Sequence, residues 1–141
     1  MNLTLLAKPA KKAFFDTNIL VYAVTANDPR QTIAAELLAK GGCLSVQVLD
    51  EFASIARRKL HKPWPEIRNT LADIRALCEP ATPLTVETHE SALRLAERYG
   101  YQVYDARILA SALETNCTLL YSEDMHHGQK LEGLTIQNPF A

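Results

Sequence analysis

The chain has 141 residues, 48% of them hydrophobic and 22% charged, enough for one globular domain with a core that needs no disulfides. Fifteen basic and 16 acidic side chains leave a net charge of −1, which excludes a strongly basic nucleic-acid glove but not a local basic patch. No apolar run approaches the roughly 18 residues of a membrane span.

The opening segment, Met1 to Lys12, lacks the small-residue cleavage site of a secretory signal. Cys43, Cys78 and Cys117 are odd in number and far apart, with no C-x-x-C spacing. They read as reduced thiols, which argues against zinc and for a cytoplasmic protein without a membrane anchor. With no repeat, low-complexity tract or linker, residues 1–141 are expected to form a single domain, with 1–11 as a short N-terminal extension.

Short apolar runs alternate with helical patterns. Ala13–Phe15 reads as a first strand and Asn18–Val24 as an apolar helix start. Gln31–Ala39 is helical and stops at Gly41-Gly42, a suitable terminus. Cys43–Ser45 is a short strand, followed by a longer helix over Val46–Leu60, where Val48, Phe52, Ile55 and Lys59 recur at helical spacing. Inside it, Arg57-Arg58-Lys59-Leu60-His61-Lys62 is a basic run, read as a solvated helix end whose cations suit the C-terminal dipole.

Pro63 and Pro65 open the next helix, with Ile67, Leu71, Ile74 and Leu77 on its apolar face. Pro80 and Pro83 bracket a turn and short strand, Val86–Tyr99 is helical, and Gly100 ends it. Helix Asp105–Glu114, strand Thr118–Tyr121 and a closing strand Leu134–Gln137 complete the chain. The alternation predicts an α/β fold with a mostly parallel sheet and helices on its faces.

Four carboxylates stand out against this pattern. Asp16 ends the first apolar run, Asp105 opens a helical stretch, and Asp124 follows Thr118–Tyr121. In an alternating α/β chain such strand ends gather at one sheet edge, where ligands bind. Each position has a plainer explanation. Asp16 and Asp105 could cap the helices that follow, and Asp124 could be an ordinary turn residue. Glu51 resists one. It lies three residues after Val48 and four before Ile55, on their apolar face, and no neighbour at helical spacing is a cation. An unpartnered carboxylate facing a core is costly. A distant Arg or Lys could compensate it, but a metal shared with the other acids accounts for all four positions. Hard oxygen donors suit Mg²⁺, with Mn²⁺ as a substitute. One or two such ions serve displacement at phosphorus by acidifying water and offsetting charge on the leaving oxygen.

The segments Phe15-Asp16-Thr17-Asn18-Ile19-Leu20, Val48-Leu49-Asp50-Glu51-Phe52, Tyr104-Asp105-Ala106-Arg107-Ile108-Leu109-Ala110 and Leu120-Tyr121-Ser122-Glu123-Asp124-Met125 resemble, in order and spacing, the signature blocks of PIN-domain nucleases. Within that family the chain is similar to the small bacterial VapC-type toxins, including its closing Gly128, Gly133, Ile136 and Asn138-Pro139-Phe140. The resemblance implies a PIN-like three-layer sandwich, with a central twisted sheet between helices and an acidic site at the strand C-terminal edge. It also implies a metal-dependent endoribonuclease. Asp16 and Asp105 would be direct Mg²⁺ ligands, Glu51 would ligate or orient water, and Asp124 would complete the site, with Glu123 a rival for that role. Ser122 and Asn18 would fix the ligands through hydrogen bonds. An RNA substrate, a cognate antitoxin whose tail covers the acidic groove, and a homodimer are implied in the same way.

His126-His127 departs from the pattern and reads as a pair of surface histidines. Trp64, between two prolines, could stack on a base but suits packing at a helix start. A haloacid-dehalogenase-type phosphotransferase would want an acid where Asn18 stands. A PIN-fold binding module that has lost efficient catalysis is the rival from another class, and the presence of all four acids argues against it. A housekeeping nuclease acting on RNA or DNA is the third reading, against which the short length favours the toxin.

Overall fold

The computed structural model describes residues 11–141. Apart from Lys11, the expected N-terminal extension lies outside the described residues. The elements run β1 (Ala13–Phe15), α1 (Thr17–Ala23), α2 (Arg30–Ala39), α3 (Val46–Arg58), α4 (Trp64–Leu77), α5 (Val86–Tyr99), α6 (Val103–Glu114), β2 (Leu119–Tyr121), β3 (Lys130–Leu131) and β4 (Leu134–Gln137).

The sheet has the order β1-β2-β4-β3. β1 pairs with β2 and β2 with β4 in parallel, while β3 and β4 form an antiparallel hairpin at the edge. Phe14 and Phe15 are adjacent, so they face opposite sides of the sheet, yet both are fully buried. Burial of both faces is the mark of a parallel sheet covered by helices. On one side α1 packs on α2 and α3, and α3 on α4; separately, α5 packs on α6, which meets β2. The result is the α/β, three-layer arrangement expected from the alternation.

Two expectations about the strands change. Neither Cys43–Ser45 nor the stretch between Pro80 and Pro83 forms a full strand. Cys43 bridges Phe14 and Ser45 bridges Thr82, each as an isolated parallel contact, because the chain turns into α3 at once. Backbone bonds still continue the sheet in that direction, from Phe15 N–H to the Cys43 carbonyl at 2.9 Å and from Thr82 N–H to the Leu44 carbonyl at 2.9 Å. The β3 strand is the second change. Its two residues are too short for any alternation to show, and pairing to β4 creates it.

Helix ends follow local chemistry. Ser45 and Thr85 cap α3 and α5 through their hydroxyls, to Val48 N–H at 3.3 Å and Thr88 N–H at 3.0 Å. Gly100 ends α5 with φ 77°, left-handed backbone that favours glycine. The α6 helix starts two residues earlier than its pattern suggested, with the Gln102 side chain accepting from Tyr104 N–H at 2.9 Å. Asp105 is therefore not a cap.

Gly42 sits where the chain passes closest to β1. A Cβ there would stand 2.6 Å from Phe15 Cε2 and 2.7 Å from the Ala13 carbonyl oxygen. The latter is backbone of β1, held by its pairing with β2, and cannot swing aside. Gly42→Ala is expected to destabilise the fold by about 1–3 kcal/mol through overpacking. Urea denaturation checks this, and an unchanged midpoint would show that the junction has room to give.

Candidate active site

The end of β1 and the end of β2 are neighbours by register, with Phe15 opposite Tyr121. Asp16 follows the first and Ser122 the second, and Asp16 N–H donates to the Tyr121 carbonyl at 3.0 Å. The Asp16 side chain is 5% exposed. Its Oδ1 accepts from Thr17 N–H at 2.7 Å and its Oδ2 from the Ser122 hydroxyl at 2.7 Å. The capping role and the site role of Asp16 are thus one geometry, since α1 starts on the same carboxylate.

Ser122 does more than hold Asp16. Its oxygen also accepts from Asp124 N–H and Met125 N–H, each at 3.3 Å, which bends the chain after β2 into a fixed turn. Asn18, the second residue of α1, grips that turn from the other side. Its amide donates to Asp124 Oδ2 at 3.1 Å and its carbonyl oxygen accepts from Glu123 N–H at 3.3 Å. Both residues thus hydrogen-bond to the acids beside them.

Glu51 is half-buried on α3 and accepts two hydrogen bonds, from Thr17 Oγ1 at 2.6 Å and from Gln47 Nε2 at 2.8 Å. The same Gln47 amide donates to the Tyr104 carbonyl at 3.0 Å, linking α3 to the first turn of α6, where Asp105 projects. Thr17 and Gln47 carry no charge, and as a helix's first residue and a buried amide they leave no periodic trace. Only the spacing of Gln47 four residues before Glu51 hinted at contact.

Asp16, Glu51, Asp105 and Asp124 line one cleft of about 390 Å³. Glu123 is engaged elsewhere. Its carboxylate accepts from the Tyr22 hydroxyl and pairs with Arg30 at 3.2 Å. Arg30 in turn lies 3.8 Å above the Tyr22 ring and pairs with Asp28 at 2.7 Å, which pulls the Asp28 carboxyl down to about 2. Phe140 closes this cluster edge-on against Tyr22, with ring centroids 5.2 Å apart. His126 and His127 are exposed loop residues. His126 lies against the Tyr101 ring, and His127 Nδ1 accepts from Asn138 N–H at 2.9 Å. Trp64 is half-exposed at the start of α4, under the Arg57 guanidinium.

Among the described residues no cation pairs with any of the four cleft acids. Burial, against which the Ser122 and Thr17 bonds work, and then the charges of Asp105 and Glu51, raise Asp16 to about 6. Burial, with the charges of Asp124 and Glu51, raises Asp105 as well. Among the described residues no three Asp, Glu, His or Cys side chains are already drawn together as a finished ligand shell. The donor set is nonetheless one that a hard divalent cation satisfies: carboxylate oxygens lining one cleft, mutually repelling and, among the described residues, unpaired with any cation.

Among comparisons with known proteins, the family model of the PIN domain matches residues 13–129. No curated protein sequence matches the chain significantly. Solved structures with a similar fold include Mycobacterium tuberculosis VapC20, a Sarcin-Ricin loop cleaving toxin, at 22% identity and TM-score 0.66 over 80% of this chain and 90% of that one. A toxin-antitoxin complex from Klebsiella pneumoniae matches at 20% identity and TM-score 0.68, over 91% and 98%. VapBC2 from Rickettsia felis, bound to a DNA fragment from its promoter, matches at 21% identity and TM-score 0.65, over 89% and 97%.

The raised Asp16 has a signed consequence for stability. A carboxyl that holds its proton more tightly when folded stabilises the fold below its unfolded pKa, and that contribution is lost as pH rises through the folded value. Without divalent metal, the Asp16 contribution is expected to fall by roughly 1.4 kcal/mol per pH unit from about pH 4 to about pH 6 and to level off above. Asp16→Asn should remove that slope. Urea titrations with chelator across this range measure it, and equal slopes in both proteins would disprove the assignment.

Proposed function

Because this chain belongs to the PIN-domain family, we propose that it is a Mg²⁺-dependent endoribonuclease and the toxin of a toxin-antitoxin pair. One observation carries the reading: four acids from the end of β1, α3, α6 and the turn after β2 line a single cleft, and among the described residues no cation pairs with any of them. Structural carboxylates in so crowded a place would be paired, and the burial and mutual repulsion that raise Asp16 and Asp105 would have no return.

In this reading Asp16 and Asp105 hold the cation, with Mn²⁺ as a substitute, and Asp124 completes the site. When bound, the ion supplies Lewis-acid charge against the phosphodiester and eases deprotonation of water. The chain's own groups do the placing. Ser122 and Thr17 N–H fix both oxygens of Asp16, so its carboxylate cannot rotate as charge changes. Asn18 and Ser122 hold the turn that presents Asp124. Thr17 and Gln47 occupy the two oxygens of Glu51 and aim it into the cleft, where it orients water and accepts its proton. Hydrolysis forms a bond from water oxygen to phosphorus and breaks the bond to the neighbouring nucleotide, whose oxygen leaves with a proton. An open groove suits a loop or splayed single strand, which can bend to present a phosphate in line.

The partner is a cognate antitoxin, a reading supported by the toxin-antitoxin complexes that share this fold. Its tail would cover the acidic cleft. The proposed toxin is a cytoplasmic homodimer, and among the described residues no helix is long and apolar enough to cross a membrane.

Purified protein incubated with total bacterial RNA is expected to give discrete cuts with Mg²⁺ or Mn²⁺ and none with chelator. Asp16→Asn and Asp105→Asn should abolish the cuts while circular dichroism stays unchanged. Thr17→Val, which frees one Glu51 oxygen, should slow them by roughly 10–100-fold. Wild-type rates in either Asn variant would sink the site, and silence of the wild type with both metals would bring the binding-module reading forward.

A further inference from the structure

The cleft is not acidic throughout. Glu51, Ile55 and Lys59 are spaced by four residues along α3 and all line it, so one helix face runs from the acids to a cation. Eight residues at about 1.5 Å each separate the Glu51 and Lys59 backbones by roughly 12 Å. Among the described residues Lys59 forms no ion pair with any of the four acids.

The basic run that contains Lys59 is not one patch. Arg57 is turned to another side of α3, where its guanidinium donates to the Lys62 carbonyl at 3.2 Å and covers Trp64. Arg58 donates to Ser54 at 3.0 Å, and Lys62 pairs with Glu66 at 3.4 Å. Among the described residues Lys59 makes no ion pair and no side-chain hydrogen bond, and it is the one cation lining the cleft. A helix dipole alone would not select it, because Arg57 and Arg58 already occupy the last turn.

We infer that Lys59 is a phosphate-binding residue of the substrate groove, holding an RNA phosphate that flanks the one cut, with the strand lying along the Glu51–Ile55–Lys59 face of α3. The inference rests on the nuclease reading above for the identity of the strand. Ile55 supplies an apolar surface between the two charged ends, over which a sugar or base can pass without desolvating a polar group. An ammonium gives this contact charge without base specificity, so Lys59 sets register and affinity rather than sequence.

The test uses a fluorescein-labelled, mixed-sequence, single-stranded RNA 20-mer and fluorescence anisotropy between about 50 and 200 mM KCl. Asp105→Asn is compared with Asp105→Asn carrying Lys59→Ala, so that cleavage affects neither. Removing one phosphate contact should lower the magnitude of the salt slope by about 0.7, which is roughly a 2.5-fold smaller loss of affinity across that range. Affinity at the lowest salt should drop by roughly two- to fivefold, and Lys59→Arg should restore both. An unchanged slope overturns the inference, including the case in which Lys59→Ala merely lowers the melting temperature, as a helix-end role would. Absence of RNA binding overturns it too and would leave an acidic protein partner as the occupant of Lys59. Cleavage by the wild type is scored separately. RNA held through Lys59 but cut with neither metal would defeat the nuclease reading and leave this one standing.

Discussion

The pairing of β1 with β2 is the constraint from which the rest of this molecule follows. Placing Phe15 opposite Tyr121 fixes the next residues of each strand side by side, so Asp16 and Ser122 meet with no freedom left to either chain. A slip of one residue would swap the faces of Phe14 and Phe15, both fully buried, and misfit the helices packed on each side. The hydrophobic core therefore holds the polar site in register. Strength in one is precision in the other.

That arrangement brings a tension. Asp16 and Asp105 are driven toward their protonated forms by burial and by other carboxylates. The fold offsets this with hydrogen-bond donors rather than ion pairs: among the described residues Lys59 is the one cation lining the cleft, and it pairs with none of the acids. Cations are not scarce nearby. Arg30 lies beside the same turn, yet it is committed to Asp28, Glu123 and the Tyr22 ring. The separation keeps one side of the Ser122–Asp124 turn tightly paired and leaves the other side charged and open, a distribution that favours recruitment of positive charge from outside the chain.

Much of this was legible in the sequence, for reasons that differ by residue. The long helices announced themselves because α3 and α5 each bury one stripe and expose the rest, so periodicity carried the signal. The four acids were visible as charge at strand ends or on an apolar face. What the sequence could not convey was direction. Glu123 and Asp124 are adjacent and chemically alike, and only the fold turns one to Arg30 and the other to the cleft. Asp105 looked like a cap because Val103 and Tyr104 are weak helix formers, whereas the Gln102 side chain reaches forward to Tyr104 N–H and starts α6 there. Thr17 and Gln47 were silent because a neutral side chain holding a carboxylate has no periodicity and no charge. The basic run after Ile55 read as one solvated patch, since linear sequence does not reveal that Arg57 and Lys59 leave α3 on different sides.

Asp16 ends a strand, begins a helix and supplies charge with one carboxylate, and these duties do not separate. Asparagine keeps the cap and the size but not the charge. Glutamate keeps the charge, but its longer arm has no room at a position 5% exposed whose two oxygens are already assigned. Serine keeps only a cap. A change to asparagine, which fits the space, is therefore felt first in the charge lining the cleft and not in the helix that starts there.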